Sequence, residues 1–175
     1  MKKLLGMLLA LLLVAGQCFA DEFSDDLARA EAGDAAAQVK MGDRYSGGGD
    51  VEIDYAVAAQ WYMQAAEQGN MQGQYRLAVL YHGGHGVTQD YTQAAYWYER
   101  AAEQGHMEAQ YWLGTLYHNG KGVPKDYTQA AYWYERAAEQ GHAEAQYWLA
   151  VLYYYGSGVA QDYTQAAYWY VQRQT

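Results

Sequence analysis

His106–Gly141 reads HMEAQYWLGTLYHNGKGVPKDYTQAAYWYERAAEQG, and this stretch decides the fold. Its first part places Ala109, Leu113, Gly114 and Tyr117 at i, i+4, i+5 and i+8, which is one face of a helix. Asn119 to Pro124 then interrupt that helix, and Gly120 and Gly122 can enter the left-handed backbone region. Asp126 stands where a second helix needs its cap, with Gln129 three residues later at the spacing of a capping box. Ala130, Trp133, Ala137 and Ala138 share a face of the second helix, and Gly141 ends it. The stretch predicts a hairpin of two helices, A and B, joined by a glycine loop.

The same reading returns every 36 residues without an insertion: Gly69, Gly105 and Gly141; Asp54, Asp90, Asp126 and Asp162; Trp61, Trp97, Trp133 and Trp169. A fixed period of this length predicts a solenoid, in which each unit buries its apolar face only against its neighbours. The fold class expected is all-α, with repeats over 34–69, 70–105, 106–141 and 142–175, the last truncated within helix B. Residues 21–33, ending in Ala30-Glu31-Ala32-Gly33, read as half of a preceding helix B and are expected to cap the N-terminal end. At the other end, Trp169 and Tyr170 lie on a helix B that no further repeat in this sequence covers, which offers a surface for a homodimer or a docking helix.

Residues 1–20 read differently. Lys2 and Lys3 precede an apolar run from Leu4 to Ala15, and Cys18-Phe19-Ala20 is a small-residue cleavage site. This is the pattern of a secretory signal, too short to span a bilayer comfortably, so cleavage near Ala20 and a periplasmic or secreted location are expected. Lipidation of Cys18 is the competing reading, although Gln17 before it is not small. Cleavage would remove the only cysteine and two lysines, taking the net charge from −9 to −11 and leaving no thiol for a disulfide or a metal. Such a balance disfavours nucleic acid and stable membrane insertion, and favours a basic protein or peptide as partner.

The pattern Ala-x-x-Gly-His-x-x-Ala-Gln-x-x-Leu-Gly-x-x-Tyr-x-x-Gly-x-Gly-Val-x-x-Asp-Tyr, which runs from Ala102 to Tyr127, resembles the Sel1-like repeat, a relative of the tetratricopeptide repeat. The resemblance covers essentially all of the chain after the export segment. It implies a right-handed superhelix of α-hairpins whose A helices line a concave groove, used as an adaptor in bacterial envelope assembly, signalling and host contact. It implies no shared catalytic residue. The first copy departs at Asp50, where the others have Gly86, Gly122 and Gly158, and a distorted turn is expected there.

Positions that differ between copies point to the binding surface. One helix A position reads Lys40, Arg76, Trp112, Trp148; since two copies are charged, it must reach solvent. Three residues on stand Asp43, Val79, Thr115 and Val151; four residues before stand Ala36, Gln72, Glu108 and Glu144, so all three rows share one stripe of helix A. The candidate groove therefore centres on Trp112 and Trp148, helped by Tyr75, Tyr111 and Tyr147, with Glu108, Glu144 and Asp43 selecting a basic ligand. Tyr96, Tyr132 and Tyr168 take the position of Gln60 on helix B and are expected on the outer face.

Chemistry for an enzyme is thin. Ser24, Ser46 and Ser157 stand in no nucleophile elbow or Ser-x-x-Lys motif, so no catalytic residue is assigned. His82 and His85 share a flexible loop, but a ladder of single histidines about 10 Å apart cannot close a zinc site needing nitrogens at about 2 Å, so no metal or cofactor is assigned. His106 and His142 follow helix-ending glycines and are expected to cap turns. The function expected is that of an exported protein-interaction module: an adaptor, a periplasmic immunity protein or a host-binding factor. The alternative is a cell-wall or β-lactam-binding enzyme of the same repeat family.

Overall fold

The computed structural model describes residues 22–47 and 51–173. The export segment with Cys18 and Ala20, the Asp50 turn and Thr175 lie outside the described residues. Helix α1 covers residues 22–31 and is followed by α2 (Ala35–Gly47), α3 (Tyr55–Glu67), α4 (Met71–Gly83) and α5 (Tyr91–Glu103). The chain continues through α6 (Met107–Asn119), α7 (Tyr127–Glu139), α8 (Ala143–Tyr155) and α9 (Tyr163–Gln172). From α2 onward each helix packs on those before and after it in sequence, and no strand occurs among the described residues. This is the all-α solenoid that the period predicts, with α2, α4, α6 and α8 as A helices and the others as B helices.

The B helices α3, α5, α7 and α9 each start at an aspartate. In α7, Asp126 Oδ1 accepts from the N–H groups of Thr128 at 2.8 Å and Gln129 at 3.1 Å, satisfying two donors that a helix start leaves open. The expected capping box is only half formed. The Asp126 N–H, which Gln129 would satisfy in a box, donates to the Tyr117 carbonyl at 3.0 Å. Asp54, Asp90 and Asp162 donate likewise to Tyr45, Tyr81 and Tyr153. The cap thus ties the end of one helix to the start of the next, and so sets the closure of every hairpin.

The core repeats as well. Alanines such as Ala94, Ala101 and Ala102 are fully buried and let helices approach closely, while Tyr62, Tyr98 and Tyr134, each 1% exposed, fill the space they leave. Trp97 and Trp133 are also buried. One buried polar side chain stitches three helices at each of the first three junctions. Gln110 Nε2 donates to the Ala102 carbonyl at 3.0 Å, and Gln110 Oε1 accepts from Gln140 Nε2 at 2.7 Å. Gln38 and Gln74 do the same for their own repeats, so these amides are buried with their hydrogen bonds made. At the N-terminal end α1 sets Ala30 against Ala37 and Met41, with Phe23 and Leu27 packed on them.

Candidate functional site

The A helices carry the candidate residues in rows, and the structure distributes them in two zones. In the first zone charges pair within the chain. Arg76 Nε lies 3.2 Å from Asp43 Oδ1, which also accepts from the Tyr62 hydroxyl at 2.7 Å. Lys40, exposed as its position requires, and Arg44 both reach Asp26 on α1, at 3.2 and 2.9 Å, and hold its carboxyl below the usual range.

The second zone is aromatic. Trp112 on α6 is half-buried and meets His82 of α4 edge-on, with ring centroids 5.1 Å apart at 72°. One repeat later Trp148 meets His118 of α6 at 5.0 Å and 62°. Beneath these histidines lie Tyr91 and Tyr98 in one repeat and Tyr127 and Tyr134 in the next. Each indole is thus held by the preceding repeat while part of its surface stays open. Val79, Thr115 and Val151 are half-buried beside them, and Thr115 Oγ1 donates to the Tyr111 carbonyl at 3.0 Å.

The tyrosines of this stripe turn toward the next repeat. Tyr75 stacks on His106 at 4.2 Å and Tyr111 on His142 at 4.4 Å, whereas Tyr147 lies under the Arg173 guanidinium at 4.9 Å. Those histidines cap α6 and α8: His142 Nδ1 accepts from the Ala145 N–H at 3.3 Å. Its Nε2 therefore carries the proton and donates to Glu108 Oε2 at 3.1 Å. Glu108 is engaged inside the chain, as Asp43 is, while Glu144 remains 64% exposed, near His142. The structure therefore groups Trp112, Trp148, Val79, Thr115 and Val151 as open apolar surface, and places Arg76, Glu108, Tyr111 and Tyr147 in internal contacts.

Sequence reasoning passed over His82 and His118 as supports for the tryptophans and weighed them only as metal ligands. The signal was there in the row Ser46, His82, His118, Tyr154, where aromatic rings arrive together with Trp112 and Trp148 in the repeat that follows each histidine. His82 stands in the last turn of α4 rather than in the loop expected to hold both histidines, and His85 turns to the Tyr55 ring at 5.3 Å, so the two diverge. Among the described residues no group of three or more His, Cys, Asp or Glu is placed to hold a metal, and no helix is long and apolar enough to cross a membrane. Outside the stripe, Tyr96 and Tyr132 are exposed on B helices, with Arg100 and Arg136 donating to their hydroxyls.

Burial lowers the pKa of His82, His106 and His118, and Lys121 and Lys125 push the first and third the same way. A histidine depressed in the fold takes up its proton more readily when unfolded, so the contribution is complete above the unfolded value of about 6.5 and declines as pH falls below it. Thermal midpoints are expected to drop from pH 7 to pH 5, and His82→Gln with His118→Gln to flatten that dependence. An unchanged slope in the double variant would assign the acid sensitivity to other groups.

The fold has counterparts among solved structures. The chain is similar to c5321, a protective antigen of uropathogenic Escherichia coli strains with an SLR fold, at 39% identity over 87% of this chain and 32% of that one (TM-score 0.83). It is also similar to a Sel1 repeat protein from Oxalobacter formigenes, at 38% identity over 81% of this chain and 56% of that one (TM-score 0.77). The chain therefore spans about a third to just over half the length of these two relatives. Cysteine rich protein B of Helicobacter pylori shares the fold, at 23% identity over 71% of this chain and 92% of that one (TM-score 0.57). No protein of curated function matches the chain in sequence. The sequence profile of the Sel1 repeat matches residues 35–70, 72–106, 108–142 and 143–172, and with four hairpins stacked as described the chain belongs to the Sel1 repeat family.

Proposed function

We propose that this chain is an exported protein-interaction module that holds a segment of another protein across its A-helix face, anchored at Trp112 and Trp148. The observation that carries the reading is the pair of indoles, each supported by a histidine ring of the preceding repeat and each left partly open. An aromatic surface fixed before binding loses little rotamer freedom when a partner arrives, and tryptophan is a common energetic anchor of interfaces. Export rests on the pattern of residues 1–20, and a periplasmic or extracellular setting accords with the E. coli relative being a protective antigen.

Charge selects the partner less than the acidic composition suggests, because Asp43 is already paired with the Arg76 guanidinium and Glu108 already accepts a hydrogen bond from the neutral His142 ring. Affinity capture from envelope and medium fractions tests the proposal, with the chain and its Trp112→Ala/Trp148→Ala form as baits. One protein is expected on the first bait and not on the second, and it should stay bound in about 1 M salt, where the Debye length is only ~3 Å. The same set of proteins on both baits would remove the tryptophans from the site, and release by salt would restore charge as the selector. The mass of the recovered chain, lower by residues 1–20, tests export in the same experiment.

A further inference from the structure

We infer that the segment held on the A-helix face is proline-rich and lies there as a polyproline II helix, with apolar side chains three residues apart on Trp112 and Trp148; this rests on that face being the partner site. The two indoles hold the same place one repeat apart. Their helices are neighbours, since Trp148 of α8 reaches across to His118 of α6, the helix that carries Trp112. Contacting helices lie about 8–10 Å apart, so a ligand that touches both indoles needs side chains on one face at about that interval. A β-strand returns to a face after about 6.6 Å and again after about 13 Å, and so misses the second ring. Polyproline II returns every third residue, after about 9.3 Å. An α-helix also comes close, after seven residues and about 10.5 Å.

Hydrogen bonding decides between the last two. Trp97, Trp133 and Trp169 bury their indole N–H groups. Trp112 and Trp148 do not: both are half-buried, and no hydrogen bond among the described residues uses their N–H groups. Each therefore offers a ring surface together with a donor. An α-helix uses its carbonyls on its own backbone and would set aliphatic side chains against those donors. Polyproline II has no internal hydrogen bonds, so its carbonyls can accept from the indoles while its apolar side chains pack on the rings. Glu144, one turn from Trp148 on the same stripe, is 64% exposed, and a basic residue at one end of the segment complements it.

The probe is a labelled peptide of four Pro-Pro-Leu triplets followed by two lysines. One control replaces every proline with glycine; the other is a bridged helix with leucines seven residues apart and the same lysines. Fluorescence anisotropy with the full chain should show saturable binding of the proline peptide, about tenfold or more tighter than the glycine control, which lacks the preformed conformation. Trp112→Ala and Trp148→Ala should each weaken it by about tenfold or more, with circular dichroism unchanged. Trp148→Phe keeps a ring without the donor and should weaken it by several-fold. No saturable binding, or binding that both alanine variants leave unmoved, overturns the inference. Preference of these tryptophans for the helical control also overturns it and gives the face to a helix. Affinity capture keeps the two levels apart: a partner lost from the double tryptophan variant, yet not displaced by the proline peptide, leaves the site standing and refutes its proline-rich ligand.

Discussion

Gly122→Ala is expected to cost about 3 kcal/mol or more of stability, whereas Gly105→Ala costs only about 1 kcal/mol. Both glycines have positive φ, +72° and +97°, so both substitutions carry the left-handed penalty of an L-residue. They differ in what surrounds them. A Cβ on Gly105 meets nothing within 4 Å, while one on Gly122 would lie 2.2 Å from the carbonyl carbon and oxygen of Tyr91 and 2.6 Å from Thr92 N. Those atoms belong to the first turn of α5, so relief requires the α6–α7 loop to lift off the preceding repeat. Urea midpoints of the two variants measure the difference. Equal midpoints would mean that the loop relaxes freely and that this contact does not hold the repeats together. Gly158→Ala meets the same geometry against Tyr127 at the last repeat. A smaller effect there would show the array fraying from its end rather than unfolding as one unit.

That glycine also marks how far the sequence could be read. The interval between Gly86, Gly122 and Gly158 predicts a turn, and the turn forms; the sequence does not reveal that the turn rests on another repeat's backbone. Hairpins, caps and the alanine faces were legible because they depend on residues within a dozen positions of each other. Contacts that join one repeat to the next were not. Even within a hairpin one bond differs: Gln129 reads as half of a capping box because its spacing is right, yet the Asp126 N–H that it would satisfy donates to the Tyr117 carbonyl, nine residues earlier. Glu108 and Asp43 read as free charges because their partners, His142 and Arg76, lie 34 and 33 positions away on the next A helix. Position in the stripe was legible for Trp112 and Trp148, since charged residues at Lys40 and Arg76 show that the row reaches solvent. What holds the indoles in place was not.

That support leads to the largest effect expected on binding. Removing Trp112 and Trp148 together should weaken the captured partner by about a hundredfold or more, since tryptophan anchors at interfaces commonly contribute about 2 kcal/mol or more each on truncation, without strict additivity. The folded state should survive, because both side chains are only half-buried and the tyrosines and alanines beneath them remain. His82→Ala with His118→Ala separates anchoring from mere exposure. These histidines lie under the indoles, 5.1 and 5.0 Å away, so their loss leaves the tryptophans present but free to turn. A preorganised aromatic that becomes mobile must be ordered again on binding, at about 0.5–1.5 kcal/mol per side chain, which corresponds to a loss of several-fold to about a hundredfold for the pair. Titration calorimetry with the captured partner should place this variant between the parent chain and the double tryptophan variant, with a less favourable binding entropy. If the histidine variant binds as the parent does, the indoles are positioned by something other than the preceding repeat. If it binds as weakly as the tryptophan variant, the histidines themselves touch the partner, and the site extends from two rings to four.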